Sequence, residues 1–276
     1  MAEEDCVFLD STGALVPVPD RNEGAAGKLN LVSVCKAFRS RPVLRDLSLE
    51  VGAGEVVGLF GADGAGKTVC FYTILGLIKP DSGRIELNGV DISRLPTYRR
   101  ALLGLGYLPQ ESSLFRGLSV EKNIAAILEM NEPDVVVRVE RLERILSNFD
   151  LERLRGRKPS TLSGGERRRV EVARSLASDP AIMLLDEPFA GIDPLSIAEI
   201  KRTILQMKAQ GVGILITDYD VYDMVEIIDY AYVIHEGGLI YSGAPAALLD
   251  DPAVRHCFLG ESYQHRASRL KPAQLA

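Results

Sequence analysis

Apolar positions follow two rhythms along this chain. Residues 29–36 alternate apolar with polar, and in 42–51 Leu44, Leu47 and Leu49 supply an apolar side, so both stretches predict strands. The runs 56–60, 181–186 and 212–217 are apolar on both faces, as buried parallel strands are. Spacings of three and four predict helices over 120–130, 135–148, 166–178, 195–210 and 221–228, with a further helix-like stretch over 68–77. In 166–178, Val170, Val172, Ala173 and Leu176 pack, while Arg167, Arg168, Arg169 and Arg174 make a polar face that reads as solvated. Short strands are expected at 84–87, before the hairpin signal Asn88-Gly89, and at 105–108, which ends at Pro109-Gln110. Residues 230–235 and 239–242 make a hairpin around Glu236-Gly237-Gly238, and 244–257 is short-helical. Residues 1–28 mix acids, Gly and Pro and read as a flexible arm. The β–α alternation predicts an α/β core with a mainly parallel sheet, carrying a helical insert over about 112–178.

The turn between strand 56–60 and the helix after it reads Gly61-Ala62-Asp63-Gly64-Ala65-Gly66-Lys67-Thr68. Strand, glycine-rich turn and helix start are the parts of a phosphate cradle. Glycines let backbone N–H groups turn inward, and the helix start adds orphan donors and partial positive charge. Lys67 would reach the outer phosphates, and the Thr68 hydroxyl would hold Mg²⁺.

Composition narrows the setting. The 276 residues, 46% apolar and 25% charged, suit one large globular domain with a subdomain. A formal charge of −6 argues against a general nucleic-acid binder. The four cysteines have no CxxC pair, which fits a reducing cytosol; Cys70 reads as a buried structural thiol. No stretch is long and apolar enough to span a bilayer, and Glu3, Glu4 and Asp5 do not open a signal peptide, so a cytosolic protein is expected.

Strand 181–186 ends in Asp186-Glu187, where α/β sheets bind ligands. Asp186 would hold Mg²⁺ through water and Glu187 would polarise an attacking water. Leu162-Ser163-Gly164-Gly165-Glu166 precedes the arginine-bearing helix; Ser163 would cap it, and the bare N–H groups make a second anion site.

Gly61–Thr68, Gln110, 162–166, Asp186-Glu187 and Gly191-Ile192-Asp193 stand in the order and spacing of ABC-transporter ATPase subunits, which the chain resembles over roughly residues 29–243. The resemblance implies a P-loop NTPase core with an N-terminal antiparallel β subdomain and the α-helical insert, followed by a C-terminal helical extension and tail over 244–276. It implies a head-to-tail homodimer in which each ATP lies between the cradle of one copy (61–68, with Val69 after it) and Ser163, Gly164 and Gly165 of the other. Gln110 would sense Mg²⁺ and the attacking water, Asp193 would sit in the loop that crosses the dimer, and Phe38 would stack on adenine. Residues 106–128, Phe71-Tyr72, 162–174, 186–194 and 258–263 look like the ATPases of lipopolysaccharide export systems, with the branched-chain amino-acid importer ATPases as the alternative. Such a subunit lies on the cytoplasmic face of the inner membrane and works with two membrane-embedded partners, here expected near Phe115 and Arg116.

Three positions depart from that pattern. Asp63 replaces the usual Asn and would weaken phosphate binding if it points inward. Val69 stands where a second hydroxyl is common. Tyr219, in Thr217-Asp218-Tyr219-Asp220, replaces the switch histidine that contacts the γ-phosphate. Loss of one hydrogen bond to a charged group predicts hydrolysis slower by about ten- to a hundredfold. A subunit that binds nucleotide to regulate and hardly hydrolyses it is the rival expectation, and the intact Glu187 argues against it.

Overall fold

The structure, a computed structural model, describes residues 7–9, 15–17, 27–219 and 221–259. Strands β1 (Val7–Leu9) and β2 (Leu15–Pro17) pair antiparallel within the predicted arm; residues 1–6, 10–14 and 18–26 of that arm and the tail beyond 259 lie outside the described residues. Next come β3 (Leu29–Phe38), β4 (Arg41–Val51), β5 (Val56–Phe60), α1 (Lys67–Leu75), β6 (Ser82–Leu87), β7 (Val90–Asp91), α2 (Thr97–Leu102) and β8 (Leu105–Leu108). The helical insert holds α3 (Val120–Asn131), α4 (Val135–Asn148), two 3₁₀ turns and α5 (Gly164–Leu176). The chain then alternates β9 (Ile182–Asp186), α6 (Pro194–Ala209), β10 (Gly213–Thr217), α7 (Val221–Val225), β11 (Tyr230–His235) and β12 (Gly238–Gly243). It closes with α8 (Pro245–Leu248), α9 (Pro252–Val254) and a π turn over Arg255–Leu259.

The strands form two larger sheets. One runs β12-β11-β5-β10-β9-β8, parallel except for the edge strand β12; the other, β4-β3-β6-β7, is antiparallel. β5, β9 and β10 are buried along their whole length. Their alternate side chains serve two cores: Phe60, Met183, Leu185 and Ile216 face the helical insert, while Leu59, Ile182, Leu184 and Leu215 face the antiparallel sheet and α1. Cys70 lies in that second core, its thiol pushed up to about 12 by burial, as expected of a structural cysteine.

Three of the differences from the pattern-based elements have a clear physical cause. α2 breaks no apolar rhythm strongly enough to stand out, yet forms because Arg100 turns inward and binds backbone carbonyls. α5 starts two residues early, since Ser163 and Glu166 form a capping box. α7 stops at Val225, with Ile227 and Ile228 packing into the core from a turn.

Candidate functional site

Parallel pairing brings four strand ends to one edge. Thr217 is level with Asp186, Leu108 with Leu185, and Ile216 with Gly58. The cradle after β5, Gln110 after β8, Asp186-Glu187 at β9 and Tyr219 after β10 therefore leave the sheet on the same side, where open α/β sheets bind ligands.

The cradle needs its glycines. Gly61, Gly64 and Gly66 have φ of 153°, 76° and 114°. A Cβ on Gly66 would lie 2.8 Å from the Val43 carbonyl oxygen, and one on Gly61 would lie 2.4 Å from that of Ile234. Gly66 offers α1 no side-chain cap, so its first N–H groups remain available to an anion. Lys67, 7% exposed, donates to the carbonyls of Gly61 at 2.5 Å and Ala62 at 3.2 Å. Burial lowers its pKa, and Asp63, Glu187, Asp186 and Asp218 oppose that shift. Ala62, Asp63 and Thr68 are exposed at the rim, whereas the Val69 side chain packs towards the core beneath α1. Phe38 is half-exposed at the tip of the β3–β4 hairpin, whose second strand touches the cradle at Gly66; Lys36 Nζ lies 5.4 Å from its ring.

Two acids face the cradle. Asp186 is fixed through both carboxylate oxygens, by the Thr217 hydroxyl at 2.9 Å and the Tyr107 hydroxyl at 3.3 Å. Glu187 has φ of 45°, a left-handed conformation that costs a non-glycine residue roughly 1–3 kcal/mol. Its N–H donates to the Thr217 carbonyl at 2.9 Å, which holds that turn. Gln110 Nε2 donates to Glu187 Oε2 at 2.5 Å, leaving the amide oxygen of Gln110 free to bind a cation. Burial raises the Glu187 pKa; a hydrogen bond from Tyr219 and the charge of Lys67 oppose this, and Asp186 and Asp218 add to it. The Tyr219 ring lies 5.2 Å from Lys67 Nζ. Asp186, Thr68 and the Gln110 oxygen are hard oxygen donors of the kind Mg²⁺ prefers beside a phosphate, so the residues present fit that ion.

A buried guanidinium supports the arrangement. Arg168, 5% exposed, donates to the carbonyls of Pro109 at 2.7 Å, Pro188 at 3.2 Å and Asp186 at 3.2 Å, and pairs with Glu171 at 3.1 Å. It ties the strand end before Gln110 to the turn around Glu187. The arginine face of α5 is thus not uniformly solvated: Arg168 is buried, and Arg174 donates to the Ser113 carbonyl at 2.7 Å.

Ser163 and Asp193 are placed elsewhere. Ser163 caps α5 and its N–H donates to Glu166 at 2.7 Å, which lowers the Glu166 pKa. Asp193 caps α6, accepting from the Ser196 N–H at 3.1 Å and hydroxyl at 2.7 Å. The two helix starts adjoin, since a Cβ on Gly165 would meet Ser196 Oγ and one on Gly164 would lie 3.7 Å from Ile192. Ser163, Gly164 and Asp193 are exposed there.

Residues 44–190 match the family model described as ABC transporter. The chain is 51% identical over 240 residues to a probable ABC transporter ATP-binding protein of Azorhizobium caulinodans, covering 87% of this chain and 85% of that one. It is 50% identical over 236 residues to the lipopolysaccharide export system ATP-binding protein of Acidithiobacillus ferridurans, covering 86% and 98%. A crystal structure of an ATP-binding cassette of an ABC transporter, in its ADP conformation, superimposes with a TM-score of 0.76 at 27% identity, over 85% of this chain and 99% of that chain. This chain is an ABC-transporter ATP-binding subunit. ATP is the nucleotide this family binds and hydrolyses, and its ATP-binding subunits work with membrane permease subunits. Among the described residues no helix is long and apolar enough to cross a membrane.

Of the residues expected at the site, the cradle, Gln110, Asp186, Glu187 and Tyr219 come together in one copy. Sequence reasoning missed Tyr107, Thr217 and Arg168. The first two lie on strands beside Asp186, so the parallel register was the available signal; Arg168 was hidden inside a run of arginines.

Proposed function

We propose that this subunit hydrolyses ATP to drive lipopolysaccharide export, working as a head-to-tail homodimer beneath two membrane-embedded partners on the cytoplasmic face of the inner membrane. The observation that carries the hydrolytic part is the meeting of Lys67, Gln110, Asp186 and Glu187 at one sheet edge. Lys67 and the cradle N–H groups bind the phosphates. Thr68, Asp186 and the Gln110 oxygen hold Mg²⁺, which neutralises phosphate charge when bound. Glu187 orients a water and takes its proton as oxygen attacks the terminal phosphorus; the bond to the bridging oxygen breaks and ADP leaves. The raised pKa of Glu187 suits a proton acceptor. Phe38 offers a flat face to adenine. Ser163, Gly164 and Asp193, exposed on adjoining helix starts, complete the site from the second copy together with Gly165, which is buried beside them.

A groove of 660 Å³ between the core and the insert supports the membrane partnership. Leu77, Tyr98, Leu102, Phe115 and Met130 line it and are exposed, and the Arg174 guanidinium covers the Phe115 ring at 5.3 Å. A helix from each membrane subunit fits such an apolar trough, with exposed Arg116 at its margin. Export of lipopolysaccharide rests on likeness to the export ATPases. Co-purification with the membrane subunits, with mass spectrometry of bound lipid, tests it. Lipopolysaccharide is the expected cargo; a complex carrying amino acids would favour the importer reading instead.

A further inference from the structure

Phe38 ends β3, past the point where that strand pairs with β6. The last residues paired between the two strands are Cys35 and Ser82. Beyond them Asp81, just before β6, carries the ladder on. Its N–H donates to the Cys35 carbonyl at 2.9 Å, and its carboxylate accepts from Lys36 Nζ and from the Ala37 N–H, both at 2.7 Å. The Lys36 bond, and after it the Ala37 bond, hold the Asp81 carboxyl below the usual carboxylate range. Lys36 Nζ lies in turn 5.4 Å from the centre of the Phe38 ring, within reach of a cation–π contact. On its other side Phe38 leads into Arg39 and Ser40, with φ of 45° and 68°, a two-residue hairpin shape that favours Asn and Gly. A turn strained in this way keeps its shape only where its surroundings fix it. The Phe38 ring is 44% exposed, so a face is available to a ligand.

We propose that Asp81 is a positioning residue for the nucleobase: through Lys36 and Ala37 it holds the Phe38 ring as a platform at a fixed offset from the cradle. The inference rests on the reading of Phe38 as the stacking partner of adenine. Two connections set the offset. Asp81 follows α1, which begins at the cradle, and β4, paired with β3 as far as Phe38, touches the cradle at Gly66. Without the Asp81 carboxylate, Lys36 and the Ala37 N–H lose their partner and the strained tip is free to turn the ring away. That loss falls on every nucleotide carrying the base, ATP and ADP alike. It leaves the binding of phosphates to the cradle as it was.

The test is the affinity of the full chain for ATP, ADP and inorganic tripolyphosphate, measured by competition against a fluorescent nucleotide with metal chelated so that no hydrolysis intervenes. Tripolyphosphate has no base and reports the cradle alone. Wild type is compared with Phe38→Ala, Asp81→Ala and the double variant, and Lys36→Met repeats the break from the side of the ring. Phe38→Ala should weaken ATP and ADP by about tenfold or more, the scale of one base–aromatic stack. Asp81→Ala and Lys36→Met should weaken both by about fivefold, part of that stack, with tripolyphosphate unchanged. The double variant should lose no more than Phe38→Ala. Unchanged ATP and ADP affinity in Asp81→Ala and Lys36→Met would overturn the inference. So would an equal loss for tripolyphosphate, which marks a general structural role, or losses that multiply in the double variant. A Phe38→Ala chain that binds ATP as wild type does would instead overturn the stacking reading, and the inference with it.

Discussion

Tyr219 ends β10 with a phenol where the family's switch histidine stands. Its hydroxyl reaches Glu187, so the position is occupied by a working donor, but one that cannot carry positive charge to the phosphate. Tyr219→His in the assembled transporter should raise steady-state phosphate release by about tenfold or more; no increase would mean that this position does not limit the rate. The groups with obligatory chemistry were legible from the chain: Gly61, Gly66, Lys67, Asp186 and Glu187 each sit where the motif put them. Their supports were not. Thr217 and Tyr107 become partners of Asp186 only through parallel registers that no local pattern encodes.

Among the elements, α1 shows how a helix end can be secured from outside. Its start must stay uncapped to receive phosphate. Its end is closed by Gly76 in a left-handed turn and by Arg100, which donates to the carbonyls of Thr73 at 2.8 Å, Ile74 at 2.6 Å and Leu95 at 2.8 Å. Arg100 is 1% exposed, and burial lowers its pKa to about 10. Arg100→Ala should leave those carbonyls unpaired and destabilise the fold by about 3 kcal/mol, read as a shift of the urea midpoint. A loss below about 0.5 kcal/mol would show that water replaces the guanidinium. The sequence predicted α1 as the helix that opens after the glycine-rich turn but missed α2, whose inward Arg100 breaks the apolar pattern. Element type was readable wherever burial was two-sided or strongly periodic, as in β5, β9, β10, α3 and α4. Ends were set by capping, as at Ser163, or by tertiary packing, as at Val225.

For the whole molecule, the exposed starts of α5 and α6 present Ser163 and Asp193 away from their own copy's cradle contacts. If the site is shared, the Glu187→Gln chain should run as a monomer in gel filtration without nucleotide and as a dimer with ATP. Adding Ser163→Arg should abolish that dimer while ATP binding to the monomer survives; a dimer that persists would contradict the head-to-tail arrangement. The parallel core and the insert were foreseeable from the order of apolar patterns, and the antiparallel sheet from the family resemblance. The groove between core and insert was not, because Leu77, Tyr98, Phe115 and Met130 come from four separate segments.

The central claim is that Glu187, poised by Gln110 and the Thr217 backbone, drives hydrolysis of ATP held by this cradle. It is tested most directly by steady-state phosphate release from Mg-ATP, comparing the wild-type chain with Glu187→Gln in the assembled transporter. The account predicts slow but measurable release by the wild type, reduced at least about a hundredfold in the variant while ATP binding persists. No release by the wild type, or equal release by the two proteins, would contradict it.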